Sequence, residues 1–163
     1  MFRDMRRSRQ QLSEAESIEI LQSASSGVLA LSGDGGYPYA VPLSYVYSKG
    51  KLYFHCALTG HKIDAIHRSD KASFCVIAQD QVIPEKYTTV YVSVIAFGRM
   101  RILEAEEDKR SAAMLLAEKY NPGHEVEATA EVDGAISRMH ILELSIEHLT
   151  GKEGIERSRQ RKT

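Results

Sequence analysis

The sequence predicts one mainly β, α+β domain: an antiparallel sheet of about six strands, closed or nearly closed, flanked by helices. Three observations carry that expectation. Apolar residues recur with period two between short turn signals, as in Leu52-Phe54-Cys56 and Val90-Val92-Val94-Ala96. The turns Gly33-Asp34-Gly35-Gly36 and Ser48-Lys49-Gly50 suit hairpin connections, because glycine supplies the positive φ that tight loops need. One strongly amphipathic segment, 106–120, stops at Asn121-Pro122-Gly123, a helix-ending run.

Composition bounds the class. With 163 residues, 43% hydrophobic and 26% charged, the chain can bury one core. A formal charge of −1 gives no electrostatic case for nucleic acid. No apolar run approaches the ~20 residues of a membrane helix. The basic start FRDMRRSRQQ lacks the apolar stretch of a secretory signal. Cys56 and Cys75 sit in expected strands without metal-ligand spacing. They read as reduced thiols of a cytoplasmic protein, with a disulfide as the open alternative.

In chain order, Arg3, Arg6, Arg7 and Arg9 make residues 1–12 a basic arm, either solvated or reaching a partner subunit or an anionic ligand. The folded domain spans 13–151 and a basic, flexible tail spans 152–163. Ser13 with Glu16 forms a capping box, so a helix is expected over 13–25. A buried strand follows at 27–31, then a long strand from Tyr37 to Tyr47. Pro38 and Pro42 cannot donate to a ladder, so this strand has an exposed or interrupted edge. Such an edge can hydrogen-bond a flat ring, or can merely protect against edge-to-edge aggregation.

Residues 51–68, KLYFHCALTGHKIDAIHR, read as strand, tight turn and helix. Thr59 is the expected N-cap, and Gly60 allows close backbone approach. His61 and Lys62 fall in the first helical turn, where free N–H groups favour an anion and a cation is otherwise out of place. The next strand covers 72–78, with 79–87 read as a loop. Thr88 to Glu104 is the longest strand signal, with a bulge or bend at Gly98. Segment 124–138 is ambiguous, a weakly acidic stretch open to a helix through Glu125, Glu127 and Glu131, and 140–150 is the final strand.

Other chemistries fit poorly. The six histidines show no zinc-like spacing, so no metal site is expected. No serine occupies a nucleophile elbow. Both the P-loop and the dinucleotide fingerprint are missing.

The segments GDGGYPYAVPLSYVY, HCALTGHK and YVSVIAFGR, in that order, resemble the nitroimidazole-resistance (Nim) branch of the pyridoxamine-phosphate-oxidase-like flavoproteins, over roughly residues 5–151. The resemblance implies a six-stranded split β-barrel with FMN at a homodimer interface. Matching cofactor positions are Val41, Pro42, Leu43 and Ser44; His55, Ala57, Thr59, Gly60, His61 and Lys62; and Tyr91, Ser93, Val94 and Ile95. His55 matches a motif histidine, and an imidazole can bind or protonate a substrate near neutral pH. The implied activity is reduction of a small acceptor, such as a nitro-aromatic compound, by NAD(P)H through the flavin. Alternatives are a non-catalytic flavin-binding or flavin-sensing module, and a barrel that holds a deazaflavin or a haem-type ligand. The arginine-rich substrate site of true pyridoxamine-phosphate oxidases has no counterpart, which argues against vitamin B6 oxidation.

Overall fold

The computed structural model describes residues 2–160. Its strands are β1 (Gln11–Leu12), β2 (Ser26–Ser32), β3 (Pro38–Ser44), β4 (Val46–Ser48), β5 (Lys51–Ala57), β6 (Lys71–Ile83), β7 (Thr88–Ile102) and β8 (Met139–Glu153). Its α-helices are α1 (Glu14–Ser23), α2 (His61–Arg68), α3 (Glu106–Tyr120), α4 (Glu125–Ala135) and α5 (Ile155–Gln160). The strands form one antiparallel sheet in the order β3-β2-β6-β7-β8-β5-β4, with β1 added to β8. The architecture is the mainly β split barrel expected, with eight strands where six are predicted.

The local signals explain most boundaries. Ser13 and Glu16 cap α1 reciprocally, so α1 begins at Glu14. The Lys49-Gly50 turn has positive φ at both residues and closes the β4–β5 hairpin. At Gly98 the β7–β8 register slips, and a Cβ there would collide with the Ser145 carbonyl oxygen. The inward faces of β2, β5, β6, β7 and β8 supply the barrel core. There Phe54 and Phe74 pack edge-on with centroids 5.1 Å apart, and Tyr45 packs edge-on against Phe74. A second core, including Val46, Leu116, Val132 and Ile141, lies between α3–α4 and the outer side of β5 and β8.

Three expectations need correction. The strand predicted from Tyr37 to Tyr47 breaks at Tyr45, whose side chain turns into the core and is fully buried. Tyr120 Oη accepts from the Tyr45 N–H (2.8 Å) and shares its own proton between the carbonyls of Tyr45 (2.8 Å) and Ser25. A tertiary partner thereby replaces the ladder at this residue. Segment 79–83, read as a loop, extends β6 because it pairs with β7 out to Ile83↔Thr88; its exposure on both faces hides the period-two signal. Segment 124–138, where a helix was one of the open readings, is largely helical, as α4 and a 3-10 turn, and needs no correction. Residues 155–160 of the expected flexible tail form α5, held by Ser158 Oγ donating to the Arg9 carbonyl; residues 161–163 lie outside the described residues. The N-terminal arm is tied in as well, through β1 and through Gln10 Nε2 donating to the Glu153 carbonyl. Both cysteines are free thiols.

Candidate functional site

The barrel is open between β3 and β5. The β4–β5 register pairs Val46 with Tyr53; continued past the break at Tyr45, it would set Ser44 opposite His55, Leu43 opposite Cys56 and Pro42 opposite Ala57. Those pairs do not form. Strand β3 bonds only to β2, and β5 beyond Tyr53 bonds only to β8. Two backbone edges, 41–44 and 55–57, therefore face one another across an unzipped seam. Unpaired edge groups keep their demand for hydrogen bonds. The sequence places its predicted ring-binding residues on these two edges.

The seam runs on into the start of α2. The sequence predicts Thr59 as the N-cap, but Gly60 holds that position with φ 129° and ψ 171°, and no side chain caps the helix. That dihedral pair is essentially confined to glycine. A Cβ at Gly60 would meet nothing within 4 Å, so conformation and not internal crowding requires glycine. The Gly60 carbonyl accepts from the N–H groups of Ile63 and Asp64. The amides of His61 and Lys62, ahead of that first bond, are left for an outside acceptor. Thr59 is exposed, and its hydroxyl makes no hydrogen bond among the described residues.

The two side chains of this turn differ. His61 is engaged: its ring stacks on Tyr39 (centroids 4.0 Å apart) and Nε2 lies 3.5 Å from Asp34 Oδ2. Asp34 is also held by Arg68 at 2.6 Å. Lys62 is half-buried and pairs with no carboxylate among the described residues. Its charge is felt at Cys56, whose thiol is pushed up by burial and partly drawn back by the Lys62 ammonium. An ammonium beside the free amides of a helix start gives an anion two kinds of partner at one place.

His55 and Ser44 face outward across the seam and line a cavity of about 450 Å³ between the sheet and α3–α4. The His55 side chain is exposed and makes no hydrogen bond or ion pair among the described residues. The remaining predicted residues lie elsewhere. Tyr91, Ser93 and Ile95 are on β7, separated from β5 by β8, with their side chains half-buried on the outer face. Val94 points inward and is fully buried in the core, so its side chain is closed to any ligand. The single chain thus brings together the residues of 41–62 and leaves 91–95 on a second patch. Tyr120, Asp34 and Arg68 complete the surroundings. Tyr120 is visible in the sequence only as part of an apolar helical face, Asp34 only as a turn residue, and Arg68 gives no motif.

A family model described as pyridoxamine 5'-phosphate oxidase matches residues 13–153. Among solved structures, a proposed 5-nitroimidazole antibiotic resistance protein of Bacteroides thetaiotaomicron superposes with a TM-score of 0.78 at 20% identity, over 88% of this chain and 86% of that one. A FAD and haem binding protein of Mycobacterium smegmatis gives 0.77 at 20% identity, over 95% and 80%. A FAD-binding protein of Mesorhizobium loti gives 0.62 at 25% identity, over 89% and 97%. No curated protein matches the sequence.

Proposed function

The chain belongs to the pyridoxamine 5'-phosphate oxidase family, and on that premise we propose that its open seam binds FMN in a cytoplasmic homodimer that reduces small acceptors at the expense of NAD(P)H. Lys62 carries the reading: it is a half-buried cation without a carboxylate partner among the described residues, in the first turn of a helix whose leading amides are free. A flavin phosphate satisfies both needs at once. The chain fits the rest of the group too. Edges 41–44 and 55–57 offer backbone donors and acceptors for the polar rim of the ring, and Gly60 leaves room for the phosphate. Flavin-binding proteins of other species share the fold.

A bound flavin supplies two-electron transfer between a reduced nicotinamide and an acceptor. The residues of this chain supply placement. Lys62 and the α2 amides hold the phosphate, the seam edges orient the ring, and His55 at the seam mouth can hold a proton for the acceptor. With no dinucleotide fingerprint in the sequence, the nicotinamide docks transiently over the seam.

The dimer reading draws on the outer face of the sheet. Val28 is 37% exposed, Ile77 63% and Val82 66%, beside half-buried Tyr91 and Ile95. Such a patch suits a second copy, which would carry its β7 residues toward this chain's seam. The test is His55→Ala. Flavin should stay bound while reoxidation of the reduced protein by a nitro-aromatic acceptor slows by roughly 10²-fold or more, the usual worth of a positioned proton donor. Loss of flavin in that variant would instead make His55 part of the cofactor cradle.

A further inference from the structure

We propose that the cavity between α3–α4 and the outer side of β5 and β8 is the acceptor pocket, and that it takes small, flat, mainly apolar ring compounds that are neutral or positively charged. The acceptor role rests on the seam being the flavin site. At about 450 Å³ the cavity has the size of an ordinary small-molecule site, roughly 300–1,000 Å³. Its walls are apolar, with Leu116 and Val132 from the helices facing Ile141 from β8. Ala117 and Ala135, on α3 and α4, keep the space open.

Three side chains with hydrogen-bonding or charged ends line this apolar space and pair with nothing among the described residues: Ser44, His55 and Glu131. Tyr120 also lines it, but its hydroxyl is committed to the backbone of Tyr45 and Ser25. Few polar groups converging on an apolar cavity orient a ligand and do not stabilise the fold. Ser44 and His55 belong to the two seam edges, so a ring in the cavity lies directly beside whatever fills the seam. Among the described residues, Glu131 is the only carboxylate on the lining, and no lysine or arginine lies there. That one charge repels carboxylates and attracts amidinium or protonated azole groups.

The experiment titrates the full-length protein with benzamidine, benzamide and benzoate at pH 8, followed by methyl NMR, with and without FMN. Benzamidine should bind about tenfold more tightly than benzoate, with benzamide between them, and Glu131→Gln should collapse that spread. Ala117→Phe and Ala135→Phe fill the cavity from two different helices. Each should abolish probe binding and raise KM for a nitro-aromatic acceptor, while flavin affinity and the rate of flavin reduction by NADPH stay unchanged. Probes that bind both filled variants as well as the parent would overturn the pocket. Probes that compete with FMN would assign the cavity to the flavin instead. A parent protein that takes up no flavin would sink the seam reading and the acceptor role together, whereas flavin uptake with failed probes would sink the pocket alone.

Discussion

At the scale of the residue, Gly60 and Lys62 form the phosphate end of the proposed flavin site. Lys62→Ala should weaken FMN binding by about 1–2 kcal/mol, the size of one charge-assisted hydrogen bond, in a titration followed by quenching of flavin fluorescence. Unchanged affinity would remove Lys62 from the phosphate site. Gly60→Ala should cost about 1–3 kcal/mol of stability, because φ 129° with ψ 171° is strained for any Cβ-bearing residue. Urea unfolding measures that cost. The sequence signalled this pair through one mismatch, a lysine where a helix start prefers an anion. It could not separate Lys62 from His61. That difference depends on Tyr39 and Asp34, which come from a distant hairpin and occupy the imidazole.

At the scale of the element, two contacts hold the strands that frame the seam. Tyr120 on α3 takes over the backbone groups of Tyr45 and thereby ends β3 one residue before it could zip onto β5. Tyr120→Phe leaves those groups without a protein partner and should destabilise the fold by about 1–3 kcal/mol in urea unfolding. Glu143 on β8 is 2% exposed and ties three strands together. It accepts from Arg101 Nε (2.7 Å) and Nη2 (2.9 Å), from Lys51 Nζ (3.0 Å) and from Ser145 Oγ (3.0 Å). Hydrogen bonds from Arg101, then from Lys51 and Ser145, outweigh burial and draw its carboxyl down to about 2 from an ordinary 4.5. A depressed carboxylate pKa gives stability that is present above about pH 4.5 and is lost as pH falls toward 2. Glu143→Gln should therefore cost about 2–3 kcal/mol at neutral pH and flatten the acid limb of the stability curve. An acid limb identical to that of the parent would show that other carboxylates govern it. Neither contact is legible in the sequence, since Tyr120 with Tyr45, and Arg101 and Lys51 with Glu143, are more than 40 positions apart and ordinary in type. Capping and turn chemistry were legible, because Ser13–Glu16, Lys49-Gly50 and Asn121-Pro122-Gly123 act within a few residues. The β6 extension is hidden for a similar reason: residues 79–83, with 80–82 exposed, take their strand identity from pairing with β7.

At the scale of the molecule, the sheet order sorts the predicted contacts into two groups. Residues 41–62 lie along the seam of one chain, and 91–95 lie two strands from β5, on the face that the proposed dimer would carry to the partner's seam. Ile77 pairs with Ser93 on that second patch and is 63% exposed. Ile77→Glu should convert a dimer to monomers in analytical ultracentrifugation and weaken flavin binding together with it. A dimer that survives the change would place the interface elsewhere. The barrel itself was readable from alternation and turns. Its opening was foreshadowed by Pro38 and Pro42, which mark β3 as an edge but do not say which strand it fails to meet. The most direct measurement is an absorption titration of the purified protein with FMN, then anaerobic addition of NADPH or NADH. Binding should saturate at about one FMN per chain, with flavin bands that bleach on reduction and return with a nitro-aromatic acceptor. A protein that takes up neither FMN nor FAD would contradict the assignment of the seam, and bound flavin that no reduced nicotinamide bleaches would contradict the reductase.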